Sequence, residues 1–324
     1  MIPRYDQLDL RDPDQVLLVL RTASDANLTA SCRSGAIDRV SAPHHPTAIG
    51  NSRLIATGDL HDNPVHLARL VQAAGLHRGE DSSPPSDVPP PPAHLTLHEV
   101  IHGGRFVSDM DFSYRALVRV AALKAAHPEY VHTLLANHEL SQIVGAGIVK
   151  DGINVVTAFN DAVDFVFGGR AQTIHDAIAA FIRSMPLALV CESARSSEPA
   201  ATPERSPASI MCAHSLPSPQ LMDRFDPGVL FRDLVEDDYI PRRGSAHLMV
   251  WGREHPPEQL TELADRWGVS LFILGHEKAD QGALLVPPNA VILNSDHEQG
   301  KMIELDFSKP LNAQQAFALA QPIA

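Results

Sequence analysis

Asp59 and His61 stand two residues apart in Leu54-Ile55-Ala56-Thr57-Gly58-Asp59-Leu60-His61-Asp62-Asn63, just after an apolar run. Leu54 to Ala56 reads as a short buried strand. Gly58 lets the backbone turn where the strand ends. In extended chain Asp59 and His61 point to one side. A carboxylate and an imidazole so placed are the start of a divalent metal site. Alone, the pair is better explained as a capped strand-to-helix turn with an incidental histidine. The pattern recurs, however, with a polar residue after an apolar run at four further points. They are Glu99 after Leu95-Thr96-Leu97-His98, Asn137 and His138 after Leu134-Leu135-Ala136, His214 after Ile210-Met211-Cys212-Ala213, and His276 after Ile273-Leu274-Gly275. In layered α/β domains ligand sites collect beyond the carboxyl ends of the strands. Five strand ends can therefore converge on one pocket. Its Asp, Glu, Asn and His side chains are a mixed oxygen and nitrogen set, suited to Mn, Fe or Zn more than to Ca or Mg alone.

Such residues need a scaffold of alternating strands and helices. Apolar spacing predicts a helix over 15–26 and a hairpin over 28–53 with an irregular loop through Pro43, His44, His45 and Pro46. A strand over 54–58 and a helix over 64–74 follow. Residues 80–93 are proline-rich and read as a solvated loop of polyproline character, with a docking segment for a proline-binding partner as the alternative. Strands over 94–101 and 131–135 flank a helix over 114–126, and a further helix opens at residues 136–140. This alternation indicates an α/β fold. Residues 151–185 read as mostly helical. Strands are expected at 187–191, 209–213, 248–251 and 271–274, with polar loops over 192–207 and 216–244 and a helix over 257–267. Segments 283–286, 290–294 and 302–307 read as a closing β-meander, and 312–324 as a short or frayed helix. The expected organisation is one domain. Its core is about 54–307, preceded by a helix and hairpin extension over 1–53 and interrupted by a helical insert over about 141–185.

The totals narrow the function. A chain of 324 residues with 44% hydrophobic content can bury a large core. Twenty-six basic against thirty-nine acidic residues give a net charge of −13, which argues against nucleic-acid and anionic-membrane surfaces. An anionic substrate then needs local positive charge, from metal ions or placed arginines. Three cysteines, Cys32, Cys191 and Cys212, form no C-x-x-C pair, which points to a reduced, cytoplasmic setting. No signal-peptide region and no run near the roughly 20 apolar residues of a membrane helix are expected. Most of the seventeen histidines need no chemical role, and His44, His45, His66 and His127 read as surface residues.

At this point the sequence resembles the calcineurin-like metallophosphoesterases, in their phosphoprotein-phosphatase branch. Gly58-Asp59-Leu60-His61 is similar to the opening G-D-x-H of that family. Leu123 to Glu129 and Ala136-Asn137-His138-Glu139 resemble its L-K-x-x-x-P-E and G-N-H-E. Met185-Pro186-Leu187-Ala188 and Ala213-His214-Ser215-Leu216-Pro217-Ser218-Pro219 resemble L-P-L-A and H-G-G-L-S-P, Val250-Trp251-Gly252-Arg253 resembles W-S-R, and Gly275-His276 the G-H. The resemblance spans about residues 54–307. It implies two packed mixed β-sheets flanked by helices, a four-layer sandwich. It also implies two divalent ions, most readily Mn, with Fe or Zn as alternatives. Asp59 and His61 would hold the first ion, and Asn137, His214 and His276 the second, joined by a bridging carboxylate. A metal-bridging hydroxide would attack a phosphomonoester, with His138 as general acid and Arg253 as a clamp on the phosphoryl oxygens. The substrate would be a phosphorylated small molecule or a phosphoprotein.

The G-D-x-x-D-R-G motif of that family is missing as such. Strand position puts Glu99 where the bridging carboxylate belongs, with His98 replacing glycine. Counting back from Asn137 points instead toward Gly104-Arg105, with Asp109 and Asp111 nearby. Arg105 is a candidate for the motif's arginine, and no partner carboxylate for His138 is assignable. His98-Glu99-Val100-Ile101-His102 also spells the H-E-x-x-H zinc-protease signature. That chemistry needs a helix, whereas the prolines before it, the β-branched residues within it and Gly103-Gly104 after it favour a strand and turn. The competing functions are a catalytically weakened scaffold, a nucleotide pyrophosphate hydrolase and that protease.

Overall fold

The computed structural model describes residues 3–43, 51–77, 91–193 and 209–323. Helix α1 (Pro13–Thr29) starts where the Asp12 side chain accepts the N–H groups of Asp14 and Gln15. A tight hairpin follows, β1 (Arg33–Ser34) and β2 (Ile37–Ser41). Strand β3 (Arg53–Thr57) runs into α2 (Pro64–Ala74), which Asn63 caps and left-handed Gly75 stops. Strand β4 (His94–Leu97) leads through a small hairpin, β5 (Phe106–Val107) and β6 (Met110–Asp111), to α3 (Tyr114–Ala126). Strand β7 (Val131–Thr133) feeds α4 (Asn137–Val144). A second small hairpin, β8 (Val149–Lys150) and β9 (Ile153–Asn154), precedes α5 (Val155–Phe167) and α6 (Ala171–Ser184). Then come β10 (Ala188–Glu192), β11 (Ser209–Ala213), short 3-10 turns, α7 (Ser245–Val250), α8 (Pro257–Trp267) and β12 (Leu271–Leu274). The described chain ends with β13 (Ala283–Val286), β14 (Ala290–Leu293), β15 (Lys301–Asp306), α9 (Ala313–Ala318) and β16 (Ala320–Pro322).

The strands form two mixed sheets, one of seven strands in the order β1-β2-β10-β11-β12-β14-β13 and one of five in the order β16-β15-β3-β4-β7. Period-two alternation stacks them. Leu54 and Ala56 of β3, Leu189 and Cys191 of β10, and Val291 and Leu293 of β14 share the core between the sheets. Their neighbours Ala188, Val190, Ala290 and Ile292 lie instead in the core with Leu20 of α1, Phe181 of α6 and Leu260 of α8. On the far side Ile55 packs with Leu70 of α2 and Val120 of α3. Strands covered on both faces must be apolar throughout. The result is the expected four layers, helices on either side of two packed sheets.

Several local expectations are corrected. Residues 248–250 belong to helix α7 and Trp251 caps it, so no strand forms there; a four-residue apolar run carries no period. The closing meander does not form: β13 pairs with β14, but β15 crosses to the other sheet and pairs with β3. The hairpin over 28–53 is confined to residues 33–41, and β2 lies parallel to β10 inside the larger sheet. The tail forms the expected short helix, α9, and then β16, which pairs with β15. Gly58 adopts no positive φ; a Cβ there would sit 2.0 Å from the carbonyl oxygen of Leu293. It serves the close approach of the two sheets. His66 is buried, with Nδ1 2.7 Å from the Ser295 carbonyl. The proline-rich loop as far as residue 90, His44, His45 and Pro46, and the polar loop over 194–207 lie outside the described residues. No described helix is long and apolar enough to cross a membrane.

Candidate metal centre

Asp59 lies at the seam between the sheets. It makes single parallel bridges to His98, beyond β4, and to Asn294, beyond β14. Glu99 turns in from the end of β4 with a φ of 46°, and the turn is held from below by Glu139. One carboxylate oxygen of Glu139 accepts the N–H of Val100 at 2.7 Å and of Ile101 at 3.2 Å. Asn137 and His138 open α4, His214 follows β11, and His276 follows β12. Gly275 has no room for a side chain: a Cβ would lie 2.4 Å from Asp59 Oδ1 and 2.6 Å from His98 Cε1. His61, Asp62, Glu99, His102 and His276 all carry φ values between 42° and 66°. Left-handed backbone at non-glycine residues costs energy and clusters where a structure aims side chains.

The aimed side chains crowd together. His214 Nε2 is 2.6 Å from Asn137 Oδ1, 2.8 Å from Glu99 Oε2 and 3.1 Å from His276 Nδ1. Asn137 Oδ1 and Glu99 Oε2 both only accept, and one N–H cannot serve the two of them. Ligand atoms around a cation at about 2.1 Å stand about 3 Å apart, so this set fits a divalent ion with small adjustments. The other oxygen of Glu99 meets His61 Nε2 at 2.9 Å and His138 Nε2 at 3.6 Å. Glu99 thus belongs to two groups of potential ligands, one with His61 and His138 and one with His214 and His276. Asp59 stands with His98 and His214 and takes the backbone N–H of His276 at 2.9 and 3.1 Å.

Outer contacts fix the ring orientations. His61 Nδ1 is 3.3 Å from the Ile101 carbonyl, which keeps its proton on that side and presents Nε2 to Glu99. His98 Nε2 donates to the Thr57 carbonyl at 2.9 Å, so its Nδ1 is bare and faces His214 Nδ1 at 3.2 Å. The chain of contacts places the His214 proton on Nδ1 and turns Nε2 inward.

Charge follows geometry. Burial opposes ionisation of Glu99, but His214, His138 and His61 hold its carboxyl well below the ordinary value. Burial and the charge of Glu99 work against Asp59, and His214 with His98 reverses that and lowers it. Burial disfavours charge on His61, yet Glu99 raises it to about 9. Burial likewise opposes charge on His214, and Glu99 and Asp59 raise it to about 10. Two carboxylates here stabilise positive charge in their midst, which is the condition a bound cation meets. Burial pushes His138 and His276 down to about 3.

The structure brings Asp59, His61, Glu99, Asn137, His138, His214 and His276 to one place. It does not pair Asp59 with His61 as the extended reading expects, because His61 turns away in left-handed backbone toward Glu99. Arg253 reaches the rim, where its Nε donates to His276 Nε2 at 3.0 Å. Of the other carboxylates considered, Asp109 is exposed and Asp111 is engaged with His102 Nδ1 at 2.8 Å. Arg105 is exposed and binds the Asp62 carbonyl at 3.0 Å. The H-E-x-x-H reading is overturned: residues 98–102 are not helical, and His98 and His102 face different neighbours. His98 is a site residue that the sequence reading takes as a replacement for glycine or as part of the protease signature; its place at a buried strand end is the available signal.

Among solved structures, the chain is similar to a protein serine/threonine phosphatase from Saccharomyces cerevisiae with similarity to human phosphatase PP5. The TM-score is 0.60 at 13% identity, covering 91% of this chain and 82% of that one. It is also similar to a cold-active protein-tyrosine phosphatase of the psychrophile Shewanella sp., with a TM-score of 0.54 at 12% identity, covering 87% of this chain and 81% of that one. The fold is that of these phosphatases. No protein-family model and no curated protein matches the sequence.

Proposed function

We propose that this chain is a metal-dependent phosphoesterase that hydrolyses a phosphomonoester on a protein or a small molecule in the cytoplasm. The observation that carries this reading is the convergence of Asn137 Oδ1, Glu99 Oε2 and His276 Nδ1 on His214 Nε2, at ligand-like separations of 2.6 to 3.1 Å. Glu99 is the natural bridge, since its two oxygens serve the two groups. Asp59, His61, Glu99, Asn137, His214 and His276 would hold two divalent cations, most readily Mn, with His98 in reach of Asp59. The cations would supply charge neutralisation and an activated water.

The chain's own residues supply the rest. As a ligand through Nδ1, His276 carries its proton on Nε2 and can no longer accept from Arg253. The guanidinium is then free to grip a phosphoryl group in a bidentate fork. His138 lies against Glu99 beside that position and protonates the leaving oxygen. Burial keeps it neutral in isolation; a bound phosphate dianion favours its charged form.

The second reading is an inert scaffold. It is favoured by two changes, since with Glu99 as the bridge the D-R-G of the resembling motif is replaced by His102-Gly103-Gly104. Metal analysis of protein purified without chelator, with a panel of phosphate esters and added Mn, separates the two. Two ions per chain and turnover support the enzyme, whereas metal-free, inert protein refutes it.

A further inference from the structure

His102 is fully buried beside His138, with ring centres 5.4 Å apart. Its surroundings are built. Its Nδ1 lies 2.8 Å from Asp111 Oδ2, and Asp111 Oδ1 accepts the N–H of Ser113 at 2.9 Å. The backbone is pinned from both sides: the His102 N–H donates to Ser113 Oγ at 3.0 Å, and Lys150 Nζ donates to its carbonyl at 2.8 Å. Phe159 packs edge-on against the ring. A carboxylate only accepts, so the proton of neutral His102 sits on Nδ1 and its Nε2 is a bare acceptor.

That acceptor has no partner. Neither has Nδ1 of His138, and both atoms are buried. Two other histidine pairs in this chain, His98–His214 and His94–His132, have ring centres 5.3 Å apart and ring nitrogens 3.2 and 3.0 Å apart. His102 and His138 are spaced almost as closely, but no hydrogen bond joins them in this structure, so their two nitrogens need a small ring rotation to meet. Buried polar atoms left alone in native structures are rare, and here one unpaired acceptor stands next to one potential donor.

We infer that His102 is the positioning residue for His138. Asp111 fixes the His102 proton on Nδ1, the bare Nε2 accepts the Nδ1 proton of His138, and Nε2 of His138 is thereby turned to the reacting group. The inference rests on the reading of His138 as the acid. It replaces a direct carboxylate partner with a carboxylate acting through an imidazole.

The decisive variant is Asp111→Asn. Ser113 N–H requires the amide oxygen at the Oδ1 position, so the NH2 group must face His102 Nδ1. That forces the His102 proton to Nε2, and His138 loses its acceptor. Histidine 15N NMR of the metal-free full chain reads this directly, without any turnover. The parent should carry the His138 and His102 protons on Nδ1, and D111N should move both to Nε2. A parent His138 protonated on Nε2, or unmoved protons in D111N, overturns the inference. Kinetics with Mn give the second reading. Turnover of phenyl phosphate, which needs an acid, should fall about 10²-fold in D111N and His102→Leu, while 2,4-dinitrophenyl phosphate, which does not, should change about threefold or less. His102→Gln, which keeps an acceptor, should recover part of the loss. Equal losses on both esters, or lost metal, would make His102 merely structural and sink the proposal. If the parent turns over neither ester, the phosphatase reading fails and the tautomers alone decide the positioning role.

Discussion

Glu99 is one methylene longer than the aspartate of the motif it resembles, and it sits on a left-handed residue. Glu139 holds the turn that follows Glu99 through the N–H groups of Val100 and Ile101. Glu99→Ala is expected to abolish divalent binding, measured as metal per chain after dialysis. His138→Ala should keep the metal and lose about 10²- to 10⁴-fold in turnover of an ester with a poor leaving group. Parental turnover in that variant would remove His138 from the mechanism. Arg253 is exposed at the rim, and a lysine there loses the planar fork. Arg253→Lys is therefore expected to raise KM for a phosphate ester while leaving metal content unchanged.

Elements place these residues by joining the two sheets. Gly58 lets the chain beyond β3 lie against Leu293 at the end of β14. Gly58→Ala should cost about 1–3 kcal/mol through overpacking, seen as a lower urea midpoint, and should weaken metal binding by moving Asp59. A second joint ties β2 to the other sheet through buried charge. Asp38 Oδ2 meets His132 Nδ1 at 2.7 Å and Lys124 Nζ at 4.0 Å, and His132 Nε2 meets His94 Nδ1 at 3.0 Å. Removing one partner leaves the others buried and uncompensated. Asp38→Ala is expected to destabilise the fold by about 3–5 kcal/mol in equilibrium denaturation. A loss below about 1 kcal/mol would mean the knot is not charged.

The whole molecule should show a stability maximum when metal-free. Burial holds His94, His138 and His276 at about 3 and His247 at about 4. Their unfolded value is 6.5, so between there and the folded values the unfolded chain binds more protons, and stability falls as pH falls. His61 and His214, at about 9 and about 10, work the other way: the folded chain holds more protons above pH 6.5, and stability is lost as pH rises through 9 to 10. Glu139, which burial and Glu99 raise to about 7, and Asp62, which burial and Asp111 raise to about 6, lose their contributions as pH rises to 7, two groups against four. The melting temperature of chelated protein should therefore peak near pH 6.5. Added Mn should raise it most on the alkaline side, where a cation replaces the protons of His61 and His214. A flat profile above pH 7 without metal would contradict the charge arrangement of the centre.

Much of this was legible locally. The alternation of strands and helices from β3 to α4 was readable because apolar spacing and caps such as Asn63 act within a few residues. So was the placing of Asp59, Glu99, Asn137, His214 and His276 after apolar runs. Where a run was short, as in α7, or where a strand changed sheets, as β15 does, the local signal had no information, because pairing partners lie far along the chain. The sequence by itself determined which polar residues stand at strand ends and that the layers are α/β. Which of them meet depends on contacts far apart in the chain. The fold turned His61 toward Glu99 rather than Asp59, brought His98 into the centre and set His102 between Asp111 and His138. Those choices depend on left-handed backbone and on packing between the two sheets, and neither leaves a periodic trace in the chain.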